Sequence, residues 1–289
     1  EKKNKMSNIN FFRVLQSSGI GGTTPSNPTR DDYVDLSPPF TIVSAGTFKP
    51  DGTRFYGMCT AGTPSDSLFE WKVPTAWDVS SIVETDYTSS TDTDWDSIYP
   101  CGISFKPDGL SCYVLVEGNM NANKIYQHTL TTAWNIDTRI SSSSFGLVGN
   151  TTSATCINLN FNSSGTKAYI IEDVNEKIIE CDLSTAWEIS TLSYGQALDV
   201  SSEIQLPRSL TFTDSGTKMY VMGSDLNSPI IYWKYLYTLS TAYDISTASA
   251  TSYEVIPNTG SPVAIQYKTD LTKFYLLRQT TEYLEQYTV

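Results

Sequence analysis

Asp92, Asp94 and Asp96 place a carboxylate at every second residue of one short segment. This is the spacing of the first three ligands in a calcium-binding EF-hand loop. The later positions differ, because Ser97 stands where that loop has glycine and Ile103 where it has its last glutamate. A solvated acidic loop is therefore the favoured interpretation. No metal ligand is assigned, and calcium binding at this loop stays open.

The cysteines show no pattern of a metal or redox site. Their number is odd, no Cys-x-x-Cys pair occurs, and the single histidine cannot complete a Cys/His zinc site. We expect them to be buried as small apolar side chains rather than joined in disulfides. They are Cys59, Cys101, Cys112, Cys156 and Cys181. Nucleophile-elbow, phosphate-loop and dinucleotide motifs are also missing, so no catalytic residue and no cofactor is predicted.

Two signatures recur along the chain with one shared period. The first joins two aromatic residues through a glycine-containing turn, and its terminal tyrosines are 51 to 57 residues apart. Its copies are Phe48–Tyr56, Phe105–Tyr113, Phe161–Tyr169, Phe212–Tyr220 and a diverged Tyr267–Tyr275. The second is Ala, an aromatic residue, then Asp, Asn or Glu and Val or Ile. Its aromatic residues are Trp77, Trp134, Trp187 and Tyr243. Such a period indicates a repeat protein.

Each repeat divides into four predicted strands. The Pro-Asp-Gly and Ser-Ser-Gly sequences favour turns, so the first signature predicts a hairpin. A third strand precedes the Ala-aromatic pair, and large side chains alternate along it. A fourth, more variable strand is predicted, for example at Ser144–Val148 and Tyr253–Ile256. Four antiparallel strands in each repeat are typical of a β-propeller blade.

His128 lies in the middle of a predicted third strand. Aligned repeats have Trp71, Cys181 and Tyr237 at the same position. We therefore expect His128 to be a core residue rather than a general base.

The ends of the repeat array predict how the ring closes. Leu284–Val289 aligns with the third strand at Ile125–Leu130, so the last repeat lacks a fourth strand. Val34–Ser37 resembles an outermost strand, yet no repeat precedes it. Because an open ring would leave a sheet edge unpaired, we predict that this N-terminal strand completes the last blade.

The predicted fold is all-β, a single five-bladed β-propeller of four-stranded antiparallel blades closed by an N-terminal strand. It covers residues 31–289, and an extended N-terminal arm and linker covers residues 1–30. The blades exceed the roughly 40–45 residues of a WD repeat, so the excess belongs to loops. The longest predicted loops are Ala61–Asp66, Asp86–Ile98 and Asp225–Pro229. Ligand chemistry in such a fold would be placed on these loops.

A glycoside hydrolase would need two carboxylates roughly 5–10 Å apart at the ring centre. The predicted inner strands Ile103–Phe105, Leu159–Phe161 and Leu210–Phe212 contain none. A periodic set of acids falls in the hairpin turns and is interpreted as structural. Its members are Asp51, Asp108 and Asp214. Hydrolysis is therefore disfavoured.

Composition excludes two classes of partner. The chain has 19 Lys and Arg against 31 Asp and Glu, a net charge of −12, and no clustered basic face for nucleic acid. Its apolar runs are far shorter than the roughly 20 residues of a membrane-spanning helix, so no membrane insertion is expected.

Two segments carry a resemblance to known proteins. Met6–Gly22, with its Phe-Phe-Arg-Val-Leu-Gln run before a glycine-rich stretch, resembles the opening of structural proteins encoded by tailed bacteriophages. The Leu183–Ser190 repeat is similar to propeller repeats of phage and bacterial proteins. The resemblance implies a virion component, a tail or capsid-surface appendage of an extracellular particle. It further implies that residues 1–30 dock on other virion proteins while the propeller faces outward for host recognition.

One alternative stays open from the residues themselves. Exposed aromatic residues such as Trp95 and Tyr99 could stack on a cell-surface glycan, which would make the chain a lectin-like propeller. The competing interpretation buries both rings between blades.

Overall fold

The computed structural model describes residues 28–37, 40–62, 67–91, 99–117, 123–147, 156–225, 230–257 and 260–289. These residues form twenty strands in five antiparallel, four-stranded sheets, which confirms the predicted five-bladed propeller. Within those ranges, no helix is long and apolar enough to cross a membrane.

The first strand of each blade lies nearest the ring axis, and neighbouring first strands contact one another around the ring. Blades 1 to 4 each use four consecutive strands, whereas blade 5 combines the last three strands with the first. In chain order the strands are β1 Arg30–Asp35, β2 Phe40–Phe48, β3 Arg54–Gly62, β4 Ser67–Lys72, β5 Tyr87–Thr91, β6 Tyr99–Phe105, β7 Ser111–Glu117, β8 Lys124–Leu130, β9 Arg139–Gly146, β10 Cys156–Phe161, β11 Lys167–Glu172, β12 Lys177–Leu183, β13 Leu192–Asp199, β14 Leu206–Thr213, β15 Lys218–Ser224, β16 Tyr232–Leu239, β17 Ala248–Ile256, β18 Pro262–Tyr267, β19 Lys273–Arg278 and β20 Tyr283–Thr288.

Strand β1 closes the ring as the outermost strand of blade 5. It pairs antiparallel with β20, with Val34 opposite Leu284. Arg30 Nη1 donates to Glu285 Oε1 at 2.8 Å, while Arg278 Nε donates to Glu285 Oε2 at 2.7 Å. The N-terminal strand therefore completes the last blade as predicted. It begins at Arg30, a residue that the sequence assigned to the arm.

The outer strands begin earlier than the sequence predicted. β9 begins at Arg139 rather than Ser144, and β17 begins at Ala248 rather than Tyr253. A third outer strand, β5, lies within the predicted loop Asp86–Ile98. The reason is local: in blades 2 to 4 the 3₁₀ turn that precedes the outer strand ends in an extended residue, such as Leu192, and the strand starts there. These strands are rich in Ser and Thr, and most of their side chains are exposed, so they lack the apolar alternation of a buried strand.

Those 3₁₀ turns explain the second signature. The acidic or amide residue after each aromatic ring accepts a hydrogen bond from a backbone amide of its turn. Asp78, Asn135, Glu188 and Asp244 fill this capping position in blades 1 to 4. The acid of the signature is therefore a cap, a role that Asp and Asn side chains perform well.

Each aromatic ring of the second signature fills the boundary between its own blade and the preceding one. Tyr56 Oη donates to the carbonyl oxygen of Trp134 at 2.6 Å, across the boundary between blades 1 and 2. Equivalent bonds join Tyr113 to Trp187, Tyr169 to Tyr243, and Tyr275 to Trp77. Four of the five blade boundaries thus repeat one contact, and its tyrosine ends the first signature.

The glycine of the first signature is required by the same ring. Gly109 has a φ of +72°, and a Cβ there would lie 2.2 Å from Nε1 of the Trp134 indole. Blade 5 has no Ala-aromatic segment, and its equivalent residue is Leu271, with a φ of +59°. The Leu271 side chain packs on the cluster between blades 4 and 5, so the divergence of the fifth copy follows from the missing ring.

Buried and half-buried polar groups of the third strands join neighbouring blades. Glu180, at 1% exposure, accepts from the backbone amide of Ile245 at 3.1 Å. Gln127 accepts in the same way from Ile189. In blade 4 the residue equivalent to Glu180 is the apolar Leu236. Blade 5 has no Ala-aromatic segment, so it has no backbone amide at this place for a polar side chain to bind. These polar groups therefore have a structural role.

The remaining assignments of the repeat also agree with the structure. His128 is buried in the middle of β8 and stacks on Tyr126 with ring centroids 6.2 Å apart. All five cysteines lie among the described residues and are free thiols; four are buried as predicted, whereas Cys101 is half-buried. Asp51 lies in a hairpin turn, where its Oδ1 accepts from the Thr53 amide at 3.0 Å. Bonds from Lys49 and Thr53 outweigh a desolvation cost and lower the pKa of Asp51 to about 2.

Candidate binding site at the mouth of the ring

Polar side chains on the inner strands link each blade to the next. Ser44 Oγ of β2 donates to the carbonyl oxygen of Pro100 on β6 at 2.5 Å. The Cys101 thiol of β6 donates to the carbonyl oxygen of Cys156 on β10 at 3.0 Å. These two contacts join blade 1 to blade 2 and blade 2 to blade 3.

The other three junctions are linked in the same manner. Asn160 Nδ2 of β10 donates to the carbonyl oxygen of Leu210 on β14 at 2.8 Å. Ser209 Oγ of β14 accepts from the amide of Ile265 on β18, and Gln266 Oε1 of β18 accepts from the amide of Phe48 on β2. All five inner strands are therefore joined in a ring, and these polar groups near the axis serve that ring.

A cavity of about 300 Å³ opens on the axis, at the face where the inner strands begin. All five blades contribute to its wall. It is lined by Ile42, Ser44, Thr60, Tyr99, Pro100, Cys101, Glu117, Ile157, Arg208, Val263 and Gln279. We call this cavity the mouth cavity.

Most of its lining comes from two rings of equivalent positions. One ring is formed by the residue that lies four positions before the last aromatic residue of each inner strand. These residues are Ser44, Cys101, Ile157, Arg208 and Val263. The residue four after the tyrosine of each second strand supplies the other: Thr60, Glu117, Asp173, Ser224 and Gln279. Four of the five blade boundaries repeat one set of residues, whereas within each of these two rings no residue type occurs twice.

Opposite charges meet beside the mouth cavity. Arg208 Nη1 lies 3.5 Å from Asp173 Oδ2. Burial raises the pKa of Asp173, and the nearby Arg208 guanidinium partly offsets that effect. Asp173 Oδ1 is buried and has no hydrogen-bond partner among the described residues. Glu117 adds a second carboxylate on the neighbouring blade, directly opposite Tyr99 in the pairing of β6 with β7.

Cys101 also lines the mouth cavity. Burial raises its pKa well above the ordinary value, and the charges of Glu117 and Asp173 act in the same direction. The thiol is therefore protonated at neutral pH and donates its hydrogen bond to the ring of inner strands. The described part of the chain shows no group of three or more His, Cys, Asp or Glu side chains placed to hold a metal ion.

The structure brings one sequence-predicted residue to this site. Tyr99 is the first residue of β6 and is 59% exposed at the rim of the mouth cavity. Its proposed companion Trp95 lies outside the described residues, as do Asp92, Asp94 and Asp96. Sequence reasoning missed Arg208, Glu117 and Asp173. Aligning the repeats position by position at their strand ends would have shown these charged residues in only one blade each.

Comparison with known proteins finds likeness in fold only. No family model and no curated protein matches the chain. The structure of U3-55K has a TM-score of 0.51 at 7% identity, with 91% of this chain and 100% of that chain covered. A putative 6-phosphogluconolactonase from Bacteroides fragilis has a TM-score of 0.48 at 13% identity, covering 81% and 76%. The Cps50 (Swd1) propeller domain from Myceliophteria thermophila has a TM-score of 0.45 at 11% identity, covering 86% and 70%.

Proposed function

We propose that this chain is a non-catalytic structural protein of a tailed-bacteriophage particle. The propeller is its outward-facing interaction or host-recognition module, and residues 1–30 anchor it to other virion proteins. The resemblance of Met6–Gly22 to phage structural proteins supports the location in a virion, on a tail or capsid surface.

The observation that carries the interaction role is the contrast between the repeated and the unrepeated residues. The repeated ones fill blade boundaries, cap turns and terminate strands, so the fold accounts for them. The unrepeated polar ones gather at the mouth cavity, where Arg208, Glu117 and Tyr99 meet. Side chains that differ from blade to blade give a symmetric scaffold a site that one partner can occupy in one orientation.

The chemistry at the mouth favours binding over catalysis. Asp173 is paired with Arg208, and the Cys101 thiol is held protonated by burial. An acyl-transfer site would need an activated nucleophile, and a glycoside hydrolase would need two carboxyl groups, one of them acting as the general acid. The inner strands, whose polar groups link the blades, supply no carboxylate.

Removing residues 1–27 tests the anchoring role. This truncation retains β1 and the contact of Arg30 with Glu285, so we expect the melting temperature of the propeller to be unchanged. We expect the truncated chain to be missing from purified particles when it is the only copy supplied during assembly. Western blotting of gradient-purified particles measures this. Normal incorporation of the truncated chain would refute the anchor.

Surface labelling tests the outward orientation. Antibody fragments raised against the isolated propeller should decorate intact particles in negative-stain images. The matched control is the particle that lacks this chain. Labelling that appears only after particles are disrupted would place the propeller inside and contradict the proposal.

A further inference from the structure

The mouth cavity combines both kinds of hydrogen-bonding group with an exposed aromatic ring. Arg208 donates, Glu117 accepts, and Gln279 does both. Tyr99 adds a ring that is 59% exposed at the rim. A volume of about 300 Å³ is at the low end of the range for small-molecule pockets, roughly 300–1,000 Å³.

The charges of the cavity restrict the ligand. Arg208 and Glu117 carry opposite charges, and buried Asp173 adds a negative charge next to Arg208. The chain as a whole has a net charge of −12. An acidic ligand would therefore meet an unfavourable potential, because Asp173 already compensates the single guanidinium at the mouth.

A ligand that suits this lining is neutral, bears many hydroxyl groups and has an apolar face. Each hydroxyl can both donate to a carboxylate and accept from a guanidinium or amide, and the apolar face can cover the Tyr99 ring. These are the properties of a sugar ring. We propose that the mouth cavity binds a single neutral sugar residue at the end of a glycan. This inference rests on the interaction role of the propeller proposed above and names the chemical class of its partner.

Cross-strand pairing fixes the two groups that would orient the sugar. Tyr99 is directly opposite Glu117 in the ladder of β6 and β7, so the two side chains start from neighbouring backbone positions. Arg208 reaches the cavity from blade 4, on another part of the wall. The apolar face of the sugar lies on Tyr99, with hydroxyl groups towards Glu117 and Arg208.

Titration calorimetry with the full-length chain tests the proposal. The probes are glucose, galactose, mannose, N-acetylglucosamine and their homodisaccharides, with glucuronic acid as the acidic comparator. We expect at least one neutral probe to bind and glucuronic acid to bind at least about tenfold more weakly, or not at all. Lack of binding by every neutral probe, or preference for the acid, overturns the proposal.

Variants locate the site on the protein. Tyr99→Ala and Glu117→Gln should each weaken binding of the neutral probe by about tenfold or more, since each removes one contact. Tyr33→Ala is the matched control, because Tyr33 is also exposed, at 43%, but lies on the outermost strand of blade 5. Binding that survives both mouth variants, or that is lost equally in Tyr33→Ala, overturns the assignment. Circular dichroism confirms that all three variants fold.

The outcomes separate this inference from the proposed function. A chain that joins particles through residues 1–27 but binds no neutral sugar refutes the glycan site and leaves the anchor intact. Cleavage of a disaccharide, detected by mass spectrometry after the titration, would instead refute the non-catalytic role.

Discussion

Glu285 is the residue whose replacement should weaken ring closure most. It is fully buried, and its two oxygens accept from Arg30 on β1 and from Arg278 on β19 at 2.8 and 2.7 Å. Tyr287 Oη donates to it as well, at 2.8 Å. Glu285→Gln keeps the shape of the side chain but removes the charge that compensates two guanidinium groups.

The expected cost follows from the burial of the partner that remains. Arg278 is 0% exposed, so the substitution leaves a buried cation without its counter-charge. Breaking a buried pair in this way costs about 3–5 kcal/mol. For a chain of 289 residues, an unfolding entropy of about 2.1 cal/mol/K per residue makes this a melting temperature lower by about 5–8 °C. Arg30→Gln should cost less, about 1 kcal/mol, because the Arg30 side chain is 31% exposed and water replaces part of its contact.

Urea denaturation followed by tryptophan fluorescence measures both variants. The control is Asp86→Asn, which removes a surface pair with Lys72, where the side chains are 60% and 65% exposed and 3.6 Å apart. That change should remain within about 0.5 kcal/mol. If Glu285→Gln is no more destabilising than Asp86→Asn, the ion pair does not hold the closing strand and the reasoning is wrong.

Four further outcomes are expected. Gly109→Ala should destabilise by about 3 kcal/mol, because its Cβ would meet the indole ring and its φ is +72°; thermal unfolding measures this. Tyr56→Phe should cost about 1 kcal/mol, since it removes a partly buried hydrogen bond across the boundary of blades 1 and 2. The pKa of Asp51 is lowered to about 2, so its stabilising contribution is complete above the ordinary carboxyl pKa and disappears as the pH falls towards 2; melting curves of Asp51→Asn should converge on wild type over that range. Burial raises the pKa of Cys112 and Cys181 to about 12, so native protein at pH 8 should leave both unlabelled by iodoacetamide, as measured by mass spectrometry.

Matched positions at the boundary between blades 4 and 5 provide controls. Leu271 is the blade 5 equivalent of Gly109, and its position already accommodates a Cβ. Leu271→Ala should therefore lower the free energy of unfolding only through the loss of half-buried methyl groups. Tyr220→Phe should cost less than Tyr56→Phe, because the Tyr220 hydroxyl meets the Tyr267 hydroxyl of blade 5 instead of the backbone carbonyl oxygen of an Ala-aromatic segment. Equal effects at the paired positions would contradict the account of the blade boundaries. Labelling of Cys112 or Cys181 that matches the urea-denatured rate would contradict their burial.

The fold could be predicted because its constraints repeat. Gly109, Trp134 and Tyr56 belong to one boundary contact, and the same contact recurs at three other boundaries, so their spacing was visible in the sequence. The place of β1 was predictable for a similar reason, since the last repeat lacked one strand and Val34 matched it. His128 could be placed in the core because its aligned neighbours are apolar or aromatic.

The mouth could not be predicted because its residues do not repeat. Arg208, Glu117 and Asp173 occur once each, on three blades, and only the packing of blades 2 to 4 around the axis brings them together. Exposed outer strands were also mislocated, as with β5, because hydrogen bonding to β4 rather than an apolar pattern holds that segment in place. Tyr99 was predicted to be an exposed aromatic residue of a loop, whereas it is the first residue of β6 and pairs with Glu117 on β7.

The pairing of β1 with β20 has a consequence for how the chain folds during synthesis. Arg30 and Glu285 are 255 residues apart, so β1 is synthesised long before its pairing partner β20. Until β20 emerges, β1 presents an unpaired edge, and blade 5 presents its own. Contacts that distant are slow to form. The ring should therefore close after blades 1 to 4 have folded, and β1 should be the last strand to gain protection from hydrogen exchange.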